Sequence, residues 1–231
     1  MTRPMKRTLL AMAALSLLSA CSSSSTAPAT AAANRTWRGV IGATGAQGTF
    51  DLTSTGTADA RPLTGSAKFG VTTTPMTGTF TVSTGAVIAT GGACTMTATV
   101  SGTRLQGTYT GAGNGSLAGN EAATPGDIKL YCGTYTETVG GAATRYWSFS
   151  LAGTSISGTA ATSTTPIRLV GSVTAGPVTF GTVTGQSAAI TSPDAVTVGS
   201  LAVGAVSATN AAGTFNNGGG TSGTWSGAIC P

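Results

Sequence analysis

The amino-acid sequence predicts an all-β protein, an antiparallel barrel or sandwich of roughly ten to fourteen short strands with signs of two duplicated halves. Three observations lead there. Only 7% of the residues are charged and 35 are glycine, yet large apolar residues recur throughout the chain. Disordered chains are charge-rich and poor in aromatics, so this composition fits a glycine-rich β globule better than a coil. Polar and apolar residues also alternate with period two over several segments, the signature of half-buried strands. Finally, the tripeptide Gly-Thr-aromatic occurs six times, ending at Phe50, Phe80, Tyr109, Tyr135, Phe215 and Trp225.

In chain order the first element is an export signal. Arg3, Lys6 and Arg7 precede an apolar run, Leu9 to Leu18, of ten residues. A membrane-spanning helix needs about twenty, so the run has the length of a signal-peptide core. Leu18-Ser19-Ala20-Cys21 follows. It resembles the lipobox of bacterial lipoproteins, in which small residues precede a cysteine that is acylated and becomes the new N-terminus. The resemblance covers about the first twenty-five residues. It implies that residues 1–20 are removed and that Cys21 carries palmitate-type acyl chains, which would anchor the protein in a membrane. Ser22 stands where the family's inner-membrane retention signal would usually show Asp, which implies an exported protein on the outer membrane of the cell envelope. The membrane is then the expected partner, with another envelope protein as a second. Residues 21–33, rich in Ser, Thr and Ala, read as a flexible tether.

From residue 34 to 231 no window has apolar residues at the helical period with a cap, and the whole segment is expected to be one all-β domain. Cys94, Met96, Ala98 and Val100 alternate with threonines, and Trp147, Phe149 and Leu151 alternate with Tyr146, Ser148 and Ser150. Strands 94–100 and 103–111 form a hairpin, followed by a loop that runs to Cys132. In Gly-Thr-aromatic the glycine admits a close neighbour, Thr faces solvent and the ring covers the core, which places all six rings on one interior face. The halves echo one another: Arg35-Thr36-Trp37 matches Arg145-Tyr146-Trp147, Pro62-Leu63 matches Pro166-Ile167, and Gly107-Thr108-Tyr109 matches Gly213-Thr214-Phe215. A shift of about 105 residues relates them, as in a duplication. Trp37 near the start and Trp225 near the end sit in similar settings, so first and last strands pairing would close a single barrel; two packed small β-domains would also fit, and one unit is preferred. In style the layout is similar to avidin-type and lipocalin-type barrels, with their Trp-bearing first strand and Gly-Thr-aromatic strand. Neither family's ligand residues can be placed position by position.

The chemistry the chain can support is narrow. From Cys21 onward eight cations face six anions, a net charge of +2 without a basic stripe, so nucleic acid is not an expected partner. Histidine is absent, which removes Ser-His-Asp and Cys-His nucleophile systems and the usual zinc and copper sites. No catalytic residue, metal or cofactor is expected. Asp51 and Glu137 could face one another across a barrel mouth as a glycosidase pair, but outward carboxylates paired with nearby arginines are the favoured reading. Arg38, Arg145 and Arg168 are expected at the surface or rim. Trp37, Trp147 and Trp225 are the candidates for lining a ligand cavity, although core packing is expected of them first. An exported protein should pair two of Cys94, Cys132 and Cys230. The hairpin favours Cys94–Cys132, with Cys132–Cys230 as the alternative. The expected function is a non-enzymatic structural or interaction module of the envelope. A lipocalin-like carrier of a small apolar ligand and a carbohydrate-active enzyme are the two alternatives.

Overall fold

Period-two alternation carries the chain through sixteen antiparallel strands; the computed structural model describes residues 34–43, 46–111, 113–138, 144–161, 166–193, 201–216 and 221–231. The expectations for the signal peptide, for Cys21 and for the tether lie outside the described residues. The first eight strands are β1 (Arg35–Ala43), β2 (Ala46–Ser54), β3 (Ala60–Phe69), β4 (Thr72–Thr81), β5 (Ala86–Gly91), β6 (Cys94–Ser101), β7 (Arg104–Thr110) and β8 (Gly115–Ala122). A 3-10 turn, Pro125–Asp127, leads to β9 (Ile128–Glu137), β10 (Thr144–Ala152), β11 (Ser155–Ala161) and β12 (Pro166–Phe180). The remaining strands are β13 (Val183–Thr191), β14 (Leu201–Val206), β15 (Asn210–Asn216) and β16 (Ser222–Ile229).

The strands form two closed barrels of eight, each wound as an up-and-down meander. β1 pairs with both β2 and β8, and β9 pairs with both β10 and β16. The first and last strands therefore do not meet, and each half closes on itself. The strand that makes this possible is β8, in the stretch expected to be a loop between the hairpin and Cys132. Its sequence, GSLAGNEA, lacks a row of large apolar residues, yet its first six residues are buried.

In cyclic order β1 corresponds to β10 and β3 to β12, which places Arg35 with Arg145 and Pro62 with Pro166. The closing strand follows the other seven in the first barrel (β8) and precedes them in the second (β9). The third echo follows the other count, from the first strand of each barrel: Tyr109 lies on the seventh strand of the first (β7) and Phe215 on the seventh of the second (β15).

Both lumens are filled with side chains. In the first barrel Trp37, Phe50, Met76, Phe80, Met96 and Tyr109 are fully buried, with Trp37 edge-on to Phe80 at 4.9 Å. In the second, Tyr131, Trp147, Phe149, Ile156 and Trp225 pack together. Trp147 stacks on Phe149, and Trp225 meets Trp147 edge-on, each pair at 5.1 Å. The six Gly-Thr-aromatic rings thus divide three and three between two interiors. Close approach explains the glycines: a Cβ added at Gly204 would lie 2.3 Å from the Trp225 ring, and one at Gly213 would lie 2.6 Å from it. The rings lie flat on the sheet because nothing projects beneath them.

The barrels pack side by side into one compact unit, and the contact shows as strands buried on both faces. Residues 39–43 of β1, 115–120 of β8, 147–151 of β10 and 156–160 of β11 are buried without interruption. Their lumen faces are apolar, while their outward faces are small: Gly42, Ser116, Ala118 and Asn120 on one barrel, Ser148, Ser150, Ser157 and Thr159 on the other. Asn120 Nδ2 reaches across to Ser150 O at 3.1 Å, Ser150 Oγ at 3.0 Å and Ser155 O at 3.3 Å. Arg104 donates to Ser155 Oγ and Gly171 O, each at 3.2 Å. A second small core, Val40 with Ile128 and Leu130, seals one edge of the contact.

Candidate functional site

The two-barrel architecture separates Trp37 from Trp147 and Trp225, which meet edge-on, and Asp51 from Glu137. Trp37, Trp147 and Trp225 are 0%, 4% and 5% exposed and pack within the lumens. Trp147 Nε1 donates to Thr134 O at 3.0 Å and Trp225 Nε1 to Thr214 O at 3.2 Å, which satisfies two of the indoles within the barrel wall. Arg35 closes one mouth of the first barrel. Its guanidinium lies 5.0 Å from the Trp37 ring centroid and 5.1 Å from that of Phe80, and it is ion-paired with Glu121. Cation–π contact and the carboxylate together hold a charge over an apolar interior.

Asp51 and Glu137 do not form a pair. Asp51 is on β2 of the first barrel beside Arg38 at 3.3 Å; Glu137 is on β9 of the second beside Arg145 at 3.4 Å. Each has its own arginine, but only Asp51 points outward; Glu137 shares the lumen-facing side of β9 with Tyr131 and Tyr135 and sits with Arg145 at the strand ends. Burial pushes the Asp51 carboxyl above its ordinary pKa, and the Arg38 charge pulls it partly back. Tyr135 is likewise raised, by burial first, against the opposing pull of Arg145. Arg168 stands on β12, opposite Thr159 in register.

The disulfide joins Cys132 to Cys230, which corrects the expected Cys94–Cys132 bridge. The reason is side-chain parity. Cys94 shares its face of β6 with Met96 and Ala98, packs against the first lumen and lies 2.9 Å from the Tyr109 hydroxyl. Cys132 lies between the inward residues Tyr131 and Gly133 of β9, so it points out of the second barrel. Cys230 follows β16, the strand beside β9, where its N–H donates to Leu130 O at 2.9 Å. The bridge clasps the seam at which the second barrel closes.

A concave surface runs alongside that seam. β1, β2 and β3 of the first barrel face the start of β9 and the end of β16 across a groove. One stretch, about 420 Å³, is lined among others by Arg38, Asp51, Lys68, Lys129 and Ile229. A second stretch, about 260 Å³, adds Gln47 and Tyr146. The two share Thr49, Lys68, Cys230 and Pro231, so they are one continuous depression. Lys68 Nζ donates to Pro231 O at 3.2 Å, and Gln47 Nε2 donates to Gly133 O at 3.2 Å, so each fastens one barrel to the other. Compared with known proteins, the chain matches no family model, no curated protein and no solved structure.

Sequence reasoning missed this groove. Its residues come from seven strands, β1–β4, β9, β10 and β16, and from the chain after β16, and neither lysine stands in a charge run or motif. Tyr146 offers the one local signal. It sits at an outward position beside the buried Trp147, yet it is a large ring and 41% exposed.

Proposed function

We propose that this protein is an exported lipoprotein, anchored through Cys21 in the outer membrane of the cell envelope, whose paired barrels serve as a non-enzymatic structural or interaction module. The observation that carries this reading is the direction of the side chains. Apolar rings point into both barrels, and threonines such as Thr77, Thr79, Thr97, Thr99 and Thr108 stand exposed on the outside. Lipid-facing barrels have the opposite sense, apolar out and polar in, so this pattern suits barrels surrounded by water. With their lumens occupied by their own side chains, the barrels offer their outer surfaces, and the groove between them, for recognition. The separation of Asp51 from Glu137, each with its own arginine, supports binding over carboxylate-pair hydrolysis.

The anchor supplies the test. In cells fed a labelled fatty acid, the full-length protein should incorporate label and sediment with membranes. The Cys21→Ser variant should do neither and should accumulate with residues 1–20 attached. A variant that is still cleaved after Ala20 and still sediments would refute the lipobox reading. Co-purification of the acylated protein from its native envelope should yield a bound partner, whereas turnover of a glycan substrate by the pure protein would refute the non-enzymatic reading.

A further inference from the structure

We propose that the groove between the barrels binds a segment of an acidic polysaccharide. Charge is the first argument. From Arg35 onward the eight cations and six anions include three ion pairs, Arg35–Glu121, Arg38–Asp51 and Arg145–Glu137. The chain's only two lysines from Arg35 onward, Lys68 and Lys129, both line this groove. The groove's Arg38–Asp51 pair is neutral, so the two lysines give its side chains a positive balance. Asp127, two residues before Lys129 in the 3-10 turn, is not among the lining residues. Concave walls of low dielectric concentrate such a field toward an incoming anion.

The rest of the lining selects the kind of anion. Thr49, Ser66 and Thr73 offer hydroxyls that both donate and accept, as sugar hydroxyls require. Tyr146 presents an exposed ring at the far end of the same depression, and Ile229 an exposed apolar side chain, each 41% accessible. An amphipathic ring beside polar groups is suited to the C–H face of a pyranose. A peptide is disfavoured by topology. Extended peptides usually bind by adding to an unpaired strand edge, but β1 is paired on both sides by β2 and β8, and β9 by β10 and β16. The larger stretch, about 420 Å³, lies within the usual range of ligand sites, roughly 300–1,000 Å³.

This inference rests on reading the protein as a binding module. Its test uses the full-length protein in detergent, so a failure of anchoring and a failure of the groove are seen separately. Calorimetric titration would compare a hexagalacturonate and a heparin-derived hexasaccharide with the fully methyl-esterified hexagalacturonate, which is neutral, and with hexaglutamate. The expected result is binding of at least one acidic sugar, weakened about tenfold or more by esterification. Lys68→Gln and Lys129→Gln should each weaken it about threefold to fivefold, as should Tyr146→Ser, while Ile88→Ser on the barrel wall should leave it unchanged. Lys129 is exposed and Lys129→Gln should fold normally, so that variant decides the matter even if Lys68→Gln loosens the segment at Pro231. The proposal is overturned if neither acidic sugar binds, if Lys129→Gln leaves affinity unchanged, or if hexaglutamate binds as tightly as the sugars.

Discussion

Removing the bridge between Cys132 and Cys230 should destabilise the protein more than any other cysteine change. The two residues are separated by 98 positions, so the bond ties off nearly the whole second barrel. In the chain-entropy account, closing a loop of about 100 residues removes unfolded-state freedom equivalent to about 4.7 kcal/mol. For a protein of this size each kcal/mol moves the midpoint by about 2–4 °C, so Cys132→Ser and Cys230→Ser should each lower Tm by about 10–20 °C. The two losses should be equal, because either variant removes the same bond, and the double variant should lose no more. Cys94→Ser keeps a hydroxyl where the thiol meets Tyr109 and should cost only about 0.5–1 kcal/mol. The assay is thermal unfolding followed by circular dichroism without reductant, with peptide mapping of the native protein. Dithiothreitol should bring the parent down to the level of the variants. A Cys94→Ser loss equal to that of Cys132→Ser, with Cys230→Ser unaffected, would refute both the pairing and the parity argument behind it.

Other outcomes are equally definite. Asn120→Ala should cost about 1–3 kcal/mol in urea unfolding, since it leaves Ser150 and Ser155 acceptors buried without their donor; a loss below about 0.5 kcal/mol would mean the barrels do not depend on that contact. Trp225→Ala should cost about 3–5 kcal/mol, and tryptophan emission of the native protein should resist quenching by acrylamide; full quenching would contradict the filled lumens. Asp51 is raised from 3.8 by burial, so the folded state holds its proton more tightly than the unfolded state does. Its contribution is therefore fully present below pH 3.8 and is lost as pH rises through the folded value. The Tm of the parent minus that of Asp51→Asn should accordingly increase as pH falls from 7 toward 4, and a difference that stays flat or shrinks would rule this out.

Sequence reasoning found strands whose outward residues are polar, whether wet as on β6 or buried against the other barrel as Ser148 and Ser150 are on β10. Cys94 to Val100 shows alternation because threonine meets water on one side and an apolar row meets the lumen on the other. β8 was invisible for another reason. Its outer face lies against the second barrel, where Ser116, Ala118 and Asn120 must be small to let two curved walls approach, so nothing in GSLAGNEA resembles a half-buried strand. Missing β8 had two consequences. A closed first barrel became an open half that seemed to need the last strand, and Cys132 was placed at the same end of the same barrel as Cys94. The groove was illegible because Lys68 and Lys129 become neighbours only through barrel closure and barrel packing, which are long-range events without a local mark. The charged pairs were easier, since Arg38 lies directly across the ladder from Asp51 and short-range pairing suffices.

The double pairing of β1 also gives the molecule a mechanical character. A pulling force applied at Asn34 enters β1 along its own axis, and that strand is bonded over nine residue pairs to β2 and over eight to β8. Load in that direction shears both ladders together, so their hydrogen bonds share it and must fail nearly at once. A strand peeled from a sheet margin would instead release its bonds one after another. With Val40 pressed between the barrels, drawing β1 out would also separate the first barrel from Ile128 and Leu130 of the second. The strand through which tension arrives is thus among the hardest to withdraw, a construction suited to a body held by one end while something tugs at its flank.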